Sequence, residues 1–251
     1  MKPVFYNDND EHLYACPETG QVYISTTTFL GNYKPKKDWN LIASKYAKKN
    51  GQTKEHWIAV WKKNTEDACI KGSAYHAKKE SEDLATEVHQ INNRTFALGP
   101  DTGDVQDLYT LPDGVYLEIL LWNEYFKLAG MADKITIWTE DGVRYVEIMD
   151  YKTSKEIIDY NYIDRNGNKV ISEKMLAPLG KVTNCSYNVY QLQLNIYGWM
   201  LTQFGFKIRG GIIIHVKDVN DPLQDVLIPL VNMQREVELL MVDRYKSFKI
   251  S

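Results

Sequence analysis

An α/β fold with a mixed central β-sheet flanked by helices is predicted by three features of this 251-residue chain. Three apolar segments of period two follow closely on one another between residues 115 and 152. Segments of helical period precede and follow them. The composition, 44% hydrophobic and 25% charged, is globular and supplies enough apolar chain for one sizeable core. Disorder, collagen and coiled coil are excluded, and the length fits a single domain over residues 1–251.

Taken in order, residues 12–25 read HLYACPETGQVYIS. Two alternating stretches surround Pro17-Glu18-Thr19-Gly20, the chemistry of a turn in a hairpin. From Asp38 to about Glu87 the period becomes helical, with Trp39, Ile42, Ala43, Tyr46 and Ala47, then Trp57, Ile58, Trp61 and Thr65, at three-four spacing. Gly51 and Gly72 are expected to break this region into separate helices. Tryptophans at that spacing are expected in a core rather than as a stacking platform. Residues 99–114 are turn-rich and read as a loop before strands at 115–121, 125–138 and 144–152, with Glu140-Asp141-Gly142 turning between the last two. Residues 160–185 read as an irregular excursion, turning at Asn166-Gly167-Asn168 and long enough to close over a substrate. A helix at 187–203, strands at 211–216 and 225–230, and an amphipathic helix at 232–248 complete the chain.

Thirty Lys and Arg against 33 Asp and Glu leave a net charge of −3, which as a bulk figure gives no case for a nucleic-acid partner. The distribution does. Residues 34–79 hold twelve lysines against Asp38, Glu55, Glu66 and Asp67, a local charge of +8. Such a segment can track a phosphate backbone without reading bases, although lysines also make ordinary solvated helix faces. Cys16, Cys69 and Cys185 are scattered and lack CxxC spacing, so neither a disulfide framework nor a zinc ribbon is indicated, and a reducing, cytoplasmic setting is expected. The opening MKPVFYNDNDEHLY is acidic and no run of about 18 apolar residues occurs, so neither export nor a membrane partner is expected.

The chemistry concentrates in Gly130-Met131-Ala132-Asp133 and in Val146-Glu147-Ile148-Met149-Asp150-Tyr151-Lys152-Thr153. Strand alternation points Val146, Ile148, Asp150 and Lys152 to one face. With Asp133 on a neighbouring antiparallel strand, two carboxylates and a lysine converge, a hard-oxygen site suited to Mg²⁺ or Mn²⁺. An Asp-x-Lys tripeptide alone fits a solvated strand end equally well. Two helical pairs add to it: His76 and Glu80 lie four residues apart, as do Gln193 and Tyr197, with Tyr190 a turn earlier.

Gly72-x3-His76-x3-Glu80, Gly130-x2-Asp133, Asp150-Tyr151-Lys152-Thr153 and Gln193-x3-Tyr197, in this order, resemble the PD-(D/E)XK nuclease superfamily. The Gln-x3-Tyr element is similar to that of the RecB-type branch. Ser25-Thr26-Thr27-Thr28-Phe29-Leu30, Trp61, Glu118 and Met175-Leu176-Ala177-Pro178-Leu179 resemble phage-encoded exonucleases related in pattern to mitochondrial genome maintenance exonucleases. Ala132 stands where the name-giving proline would be.

The resemblance spans residues 12–217 and implies a restriction-endonuclease-like core at 115–217 behind a lysine-rich helical region at 34–90. It implies His76, Asp133, Asp150 and the Tyr151 carbonyl as ligands of one or two Mg²⁺ or Mn²⁺ ions, with Lys152 catalytic and Gln193 and Tyr197 positioning it and the DNA end. Glu80 and Glu118 match acidic positions and are expected to support or join the ligands. Lys71, Ser73, Thr153, Ser154 and Tyr190 are candidate DNA contacts.

The implied activity is metal-dependent DNA exonuclease action in phage recombination, repair or replication, in the host cytoplasm if phage-encoded. A recombination or single-strand-binding protein is the implied protein partner. The alternatives are a structure-specific or nicking endonuclease and a non-catalytic DNA-binding accessory subunit. An iron-sulfur cluster, which needs four cysteines in some related nucleases, is not expected with three, and no P-loop is present. His12, His56, His89 and His215 have no partner at ligand spacing and are expected to be structural.

Overall fold

The computed structural model of the chain describes residues 4–8, 11–86, 88–91, 93–102 and 107–250. The N-terminal strands β1 (Val4–Asp8), β2 (Glu11–Ala15) and β3 (Val22–Ser25) form an antiparallel meander. The β2–β3 turn is the Pro17–Gly20 turn expected from sequence, closed by Gly20 at φ 68°. The side chain of His12 lies outside the described ones. Ser25 then caps a short helix, α1 (Thr26–Gly31), its hydroxyl accepting from the Thr28 N–H.

Asp38 caps α2 (Trp39–Asn50), which ends at Gly51 in the left-handed conformation that glycine adopts without penalty. Thr53 caps α3 (Lys54–Leu84), 31 residues long. The expected break at Gly72 does not occur. Glycine within a helix costs only about 1 kcal/mol against alanine, and a Cβ at Gly72 would come within 3.3 Å of Thr153 Oγ1. This glycine lets the helix pass close to the sheet rather than ending it. Trp39, Trp57 and Trp61 do not join the main core either. They cluster with Tyr46 between α2 and α3, and Trp39 stays 57% exposed.

A small hairpin of β4 (Val88–Ile91) and β5 (Arg94–Ala97) follows. The segment at 99–114 contains a short 3₁₀ turn, and its residues 103–106 lie outside the described ones. Three long strands come next: β6 (Gly114–Asn123), β7 (Leu128–Glu140) and β8 (Val143–Lys152). Asp141 (φ 52°) and Gly142 (φ 73°) make the two-residue turn between β7 and β8 that right-twisted strands favour. The excursion carries a minimal hairpin, β9 (Tyr162–Ile163) with β10 (Lys169–Val170), and leads into α4 (Ser186–Gln203). β11 (Lys207–His215), β12 (Val226–Pro229) and α5 (Gln234–Ile250) close the fold.

The main sheet runs β1-β2-β3-β7-β8-β11-β12, with β6 on the other edge of β7. It is mixed: β8–β11 and β3–β7 are parallel, the other pairs antiparallel. Helices cover both faces. α4 is buried on nearly every side, lying between the sheet and the apolar faces of α1 and α5. The C-terminal half of α3 covers the opposite face, where Tyr75 packs with Ile214 and Val216. By contrast, residues 62–71 of α3, which include Lys62, Lys63 and Lys71, are exposed throughout. No helix among the described residues is long and apolar enough to cross a membrane.

Candidate metal centre

The site forms where β7 is shared by three partners. Its edge carries β8 down to the pair Lys134↔Met149 and β3 from Ala129 onward, leaving residues 130–133 unpaired on that side. Continuing the ladder places Asp133 opposite Asp150. On the other edge, the pairs Leu117↔Lys134 and Ile119↔Ala132 put Glu118 opposite Asp133. Three carboxylates therefore lie in one row across β6, β7 and β8. Like charges so placed repel, and the backbone departs from regular pairing here in two ways.

First, β7 and β8 part here, and the Tyr151 N–H donates to Asp133 Oδ2 at 2.6 Å instead of to a backbone carbonyl. Second, Glu118 leaves the ladder at φ 43°, a left-handed conformation that costs a non-glycine residue on the order of 1–3 kcal/mol.

α3 delivers the imidazole. His76 Nδ1 lies 3.3 Å from Asp133 Oδ1, and ligand atoms of His76, Glu118 and Asp133 all fall within 4.8 Å of one another. Asp150 is outside that close trio: it is 1% exposed, and its Oδ2 lies 2.5 Å from Lys152 Nζ. Apart from that ion contact, Oδ2 has no partner among the described residues. Glu80, one turn beyond His76, is half-buried and near enough to oppose ionisation of Glu118.

The electrostatics follow from this crowding. Burial, then Asp133, pushes the Glu118 carboxyl up to about 7. Burial also raises Asp150. Hydrogen bonding to Asp133 raises His76. Burial works against the charge of Lys152, but Asp150 and Asp133 outweigh it and hold the ammonium above its ordinary value. The donor set, one imidazole with carboxylates that have lost their hydration, fits a divalent cation taking oxygen and nitrogen ligands.

The remaining sequence candidates surround this centre. Lys152 sits 5.2 Å from the Tyr190 ring centroid. Gln193 Nε2 donates to the Tyr197 hydroxyl at 3.0 Å, both groups being buried on α4. The Tyr197 ring lies against Gly130, where a Cβ would be 2.5 Å from its Cε1. Of the two motif glycines, Gly130 is required by Tyr197, whereas Gly72 is only crowded, by Thr153. The Tyr151 ring packs edge-on to Tyr75 and His76. A groove of about 450 Å³ opens beside the centre, lined by Thr65, Cys69, His76, Lys152, Thr153, Ser154 and Tyr190 among others. Lys71 and Ser73 are exposed on α3 and do not line it.

Sequence reasoning passed over several supports. The Thr26 hydroxyl donates to the Ala129 carbonyl, tying α1 to the strand that enters the site. Lys134, buried next to Asp133, donates to Asp83 Oδ1 at 2.8 Å and fastens the end of α3. His89 packs beside that pair, lowered by burial, and His215 Nε2 meets the Ser154 carbonyl at 2.7 Å, holding the turn after Lys152. His56 is exposed on α3, its ring edge-on to the adjacent Trp57. Tyr14, buried, is close enough to Glu118 to be raised by it after burial itself. The signal for Lys134 was available: a lysine in an apolar strand requires a partner.

No protein-family model matches the chain, and no curated protein matches it in sequence. A solved structure described as the crystal structure of SSO0001 aligns with 89% of this chain and 75% of that one, at 15% identity and a TM-score of 0.37. A likeness of that degree carries no argument about function.

Proposed function

We propose that this protein is a Mg²⁺- or Mn²⁺-dependent deoxyribonuclease of the PD-(D/E)XK kind, RecB-type branch, acting as an exonuclease in DNA recombination, repair or replication. The observation that carries the reading is the row Glu118, Asp133, Asp150 with His76 and Lys152 closing on it. His76, Asp133 and Glu118 would hold the cation, with Asp150 and the Tyr151 carbonyl completing the set. Glu118 thereby moves from a supporting place to a ligand.

A cation held there would supply charge neutralisation at the phosphate and acidify a water for attack at neutral pH. Lys152, held protonated by Asp150, offers a fixed positive charge to the phosphate oxygens as charge develops on them, and orients the attacking water. Tyr190 and Asp150 limit where that ammonium can go. Tyr197, held by Gln193 and seated on Gly130, walls the site on the α4 side and keeps bulk water from Asp150. The exposed lysines of α2 and α3 lead DNA along the groove by phosphate contacts, so binding is salt-sensitive and tolerant of sequence.

The test is product analysis on end-labelled linear and closed-circular DNA with Mn²⁺. Lys152→Ala is expected to abolish turnover while DNA binding persists. Attack on intact circles would replace the exonuclease reading by an endonuclease. A wild-type protein inert with both cations on single- and double-stranded DNA would leave a DNA-binding accessory subunit.

A further inference from the structure

Beyond Tyr190 lies a second and larger hollow, about 690 Å³, walled on one side by the segment entering α2 and on the other by the excursion between β8 and α4. Its volume is that of pockets that enclose whole organic ligands, about 300–1,000 Å³. Tyr190 lines both hollows, so they meet at the residue whose ring carries Lys152. Three features distinguish the larger one. Trp39 and Tyr162 both line it and remain 57% and 52% exposed, an arrangement that core packing does not explain. Lys34 and Lys37 stand on the α2 side of the wall, with Glu156 and Glu173 on the side of the excursion, where Glu173 accepts from the Asn184 side-chain amide. Lys34 is half-buried there, and burial lowers it from its ordinary value.

Resting on the nuclease reading above, we infer that this hollow is a base-stacking subsite that receives unpaired nucleotides of the strand being cut. Flat aromatic faces with lysines along one side are the chemistry that binds unpaired bases next to a phosphate backbone. In a duplex each base face is already covered by its neighbours, so rings placed here can be used only by a single strand or a frayed end. The strand would pass from the metal centre over Tyr190, its phosphates toward Lys34 and Lys37 and its bases against Tyr162 and Trp39. Tyr160, also in the wall, is already covered by Lys169, 5.0 Å above its ring, and contributes shape rather than stacking.

The experiment compares two fluorescent twelve-nucleotide DNAs of equal phosphate number, oligothymidine and its abasic counterpart, by anisotropy with wild-type protein in EDTA so that neither is cut. Oligothymidine is expected to bind at least tenfold more tightly. Tyr162→Ala should weaken it about fivefold or more without altering abasic binding, while Tyr162→Phe retains wild-type affinity. Tyr162 is exposed, so its removal leaves the core intact, and Trp39→Ala gives an independent second variant. Equal binding of the two oligomers, an equal loss of both in Tyr162→Ala, or tighter binding of a blunt duplex would overturn the subsite alone. Failure of every oligonucleotide to bind would overturn the nuclease reading together with it.

Discussion

Replacing Gly130 by alanine adds one methyl group in a place where its effect can be worked out. The new Cβ would sit 2.5 Å from Tyr197 Cε1, 2.8 Å from its hydroxyl and 3.0 Å from Cζ. Carbon atoms in contact prefer about 3.5–4.0 Å, so the ring must retreat by about 1 Å. It has nowhere easy to go: Tyr197 is 3% exposed and lies among the core side chains of α4. Overpacking of that kind costs about 1–3 kcal/mol. The backbone does not oppose the change, because Gly130 is outside the positive-φ region, and an alanine without the clash would stabilise by about 0.4–1 kcal/mol. The ring therefore decides the sign. A hydroxyl displaced by 1 Å beside the reacting groups lowers turnover on the order of 100-fold. Urea denaturation of cation-free protein and turnover on end-labelled DNA measure the two losses. In a Tyr197→Ala background the same substitution should cost little, because the obstruction is gone. Wild-type stability and activity in Gly130→Ala, or an undiminished loss in the Tyr197→Ala background, would refute the reasoning.

The raised carboxyls make stability depend on pH. Glu118 titrates near 7 and Asp150 above its ordinary value in the folded chain, so the native state binds more protons than the unfolded one. Their contribution is present below their ordinary values and lost as pH rises through about 7, and the raised His76 acts in the same direction. Cation-free protein should melt lower at pH 8 than at pH 5, Mn²⁺ should reverse this with release of protons, and Glu118→Gln should flatten the profile. In calorimetric titration with Mn²⁺, Asp133→Asn should weaken binding tenfold or more and Glu118→Gln comparably, whereas Glu80→Gln should change it little; equal effects of all three would remove the distinction between ligands and neighbour. Lys63 and Lys71 are exposed and form no ion pair among the described residues. Each lysine that neutralises a phosphate of single-stranded DNA adds about 0.7 to the log-log salt slope, so Lys63→Gln with Lys71→Gln should flatten it measurably, and an unchanged slope would exclude α3 from the DNA path.

Much of the site was readable before any fold was known, because its governing interactions are local. Alternation located β6, β7 and β8, and the helical period located α4. The tight turn at Asp141-Gly142 even dictates which residues face each other, since Glu140 pairs with Val143 and counting back brings Asp133 opposite Asp150. Glu118 was not readable in this way. β6 and β7 are joined by a longer link, whose register depends on how the whole strands pack. Nor does a sequence show that a glutamate will adopt φ 43°.

Gly72 and Gly130 teach the same lesson from the other side. Within its own helix or strand each glycine reads as weakness, a break in the one case and a gap in the other. Tyr197, far away in the chain, is what makes Gly130 necessary, and Thr153, likewise distant in sequence, is what crowds Gly72. Periodicity and turn chemistry act over a few residues, and so they decide elements and faces. The approach of α3 to β8, the seating of α4 on β7 and the exposure of Trp39 come from contacts between distant segments, which form only when the core is packed.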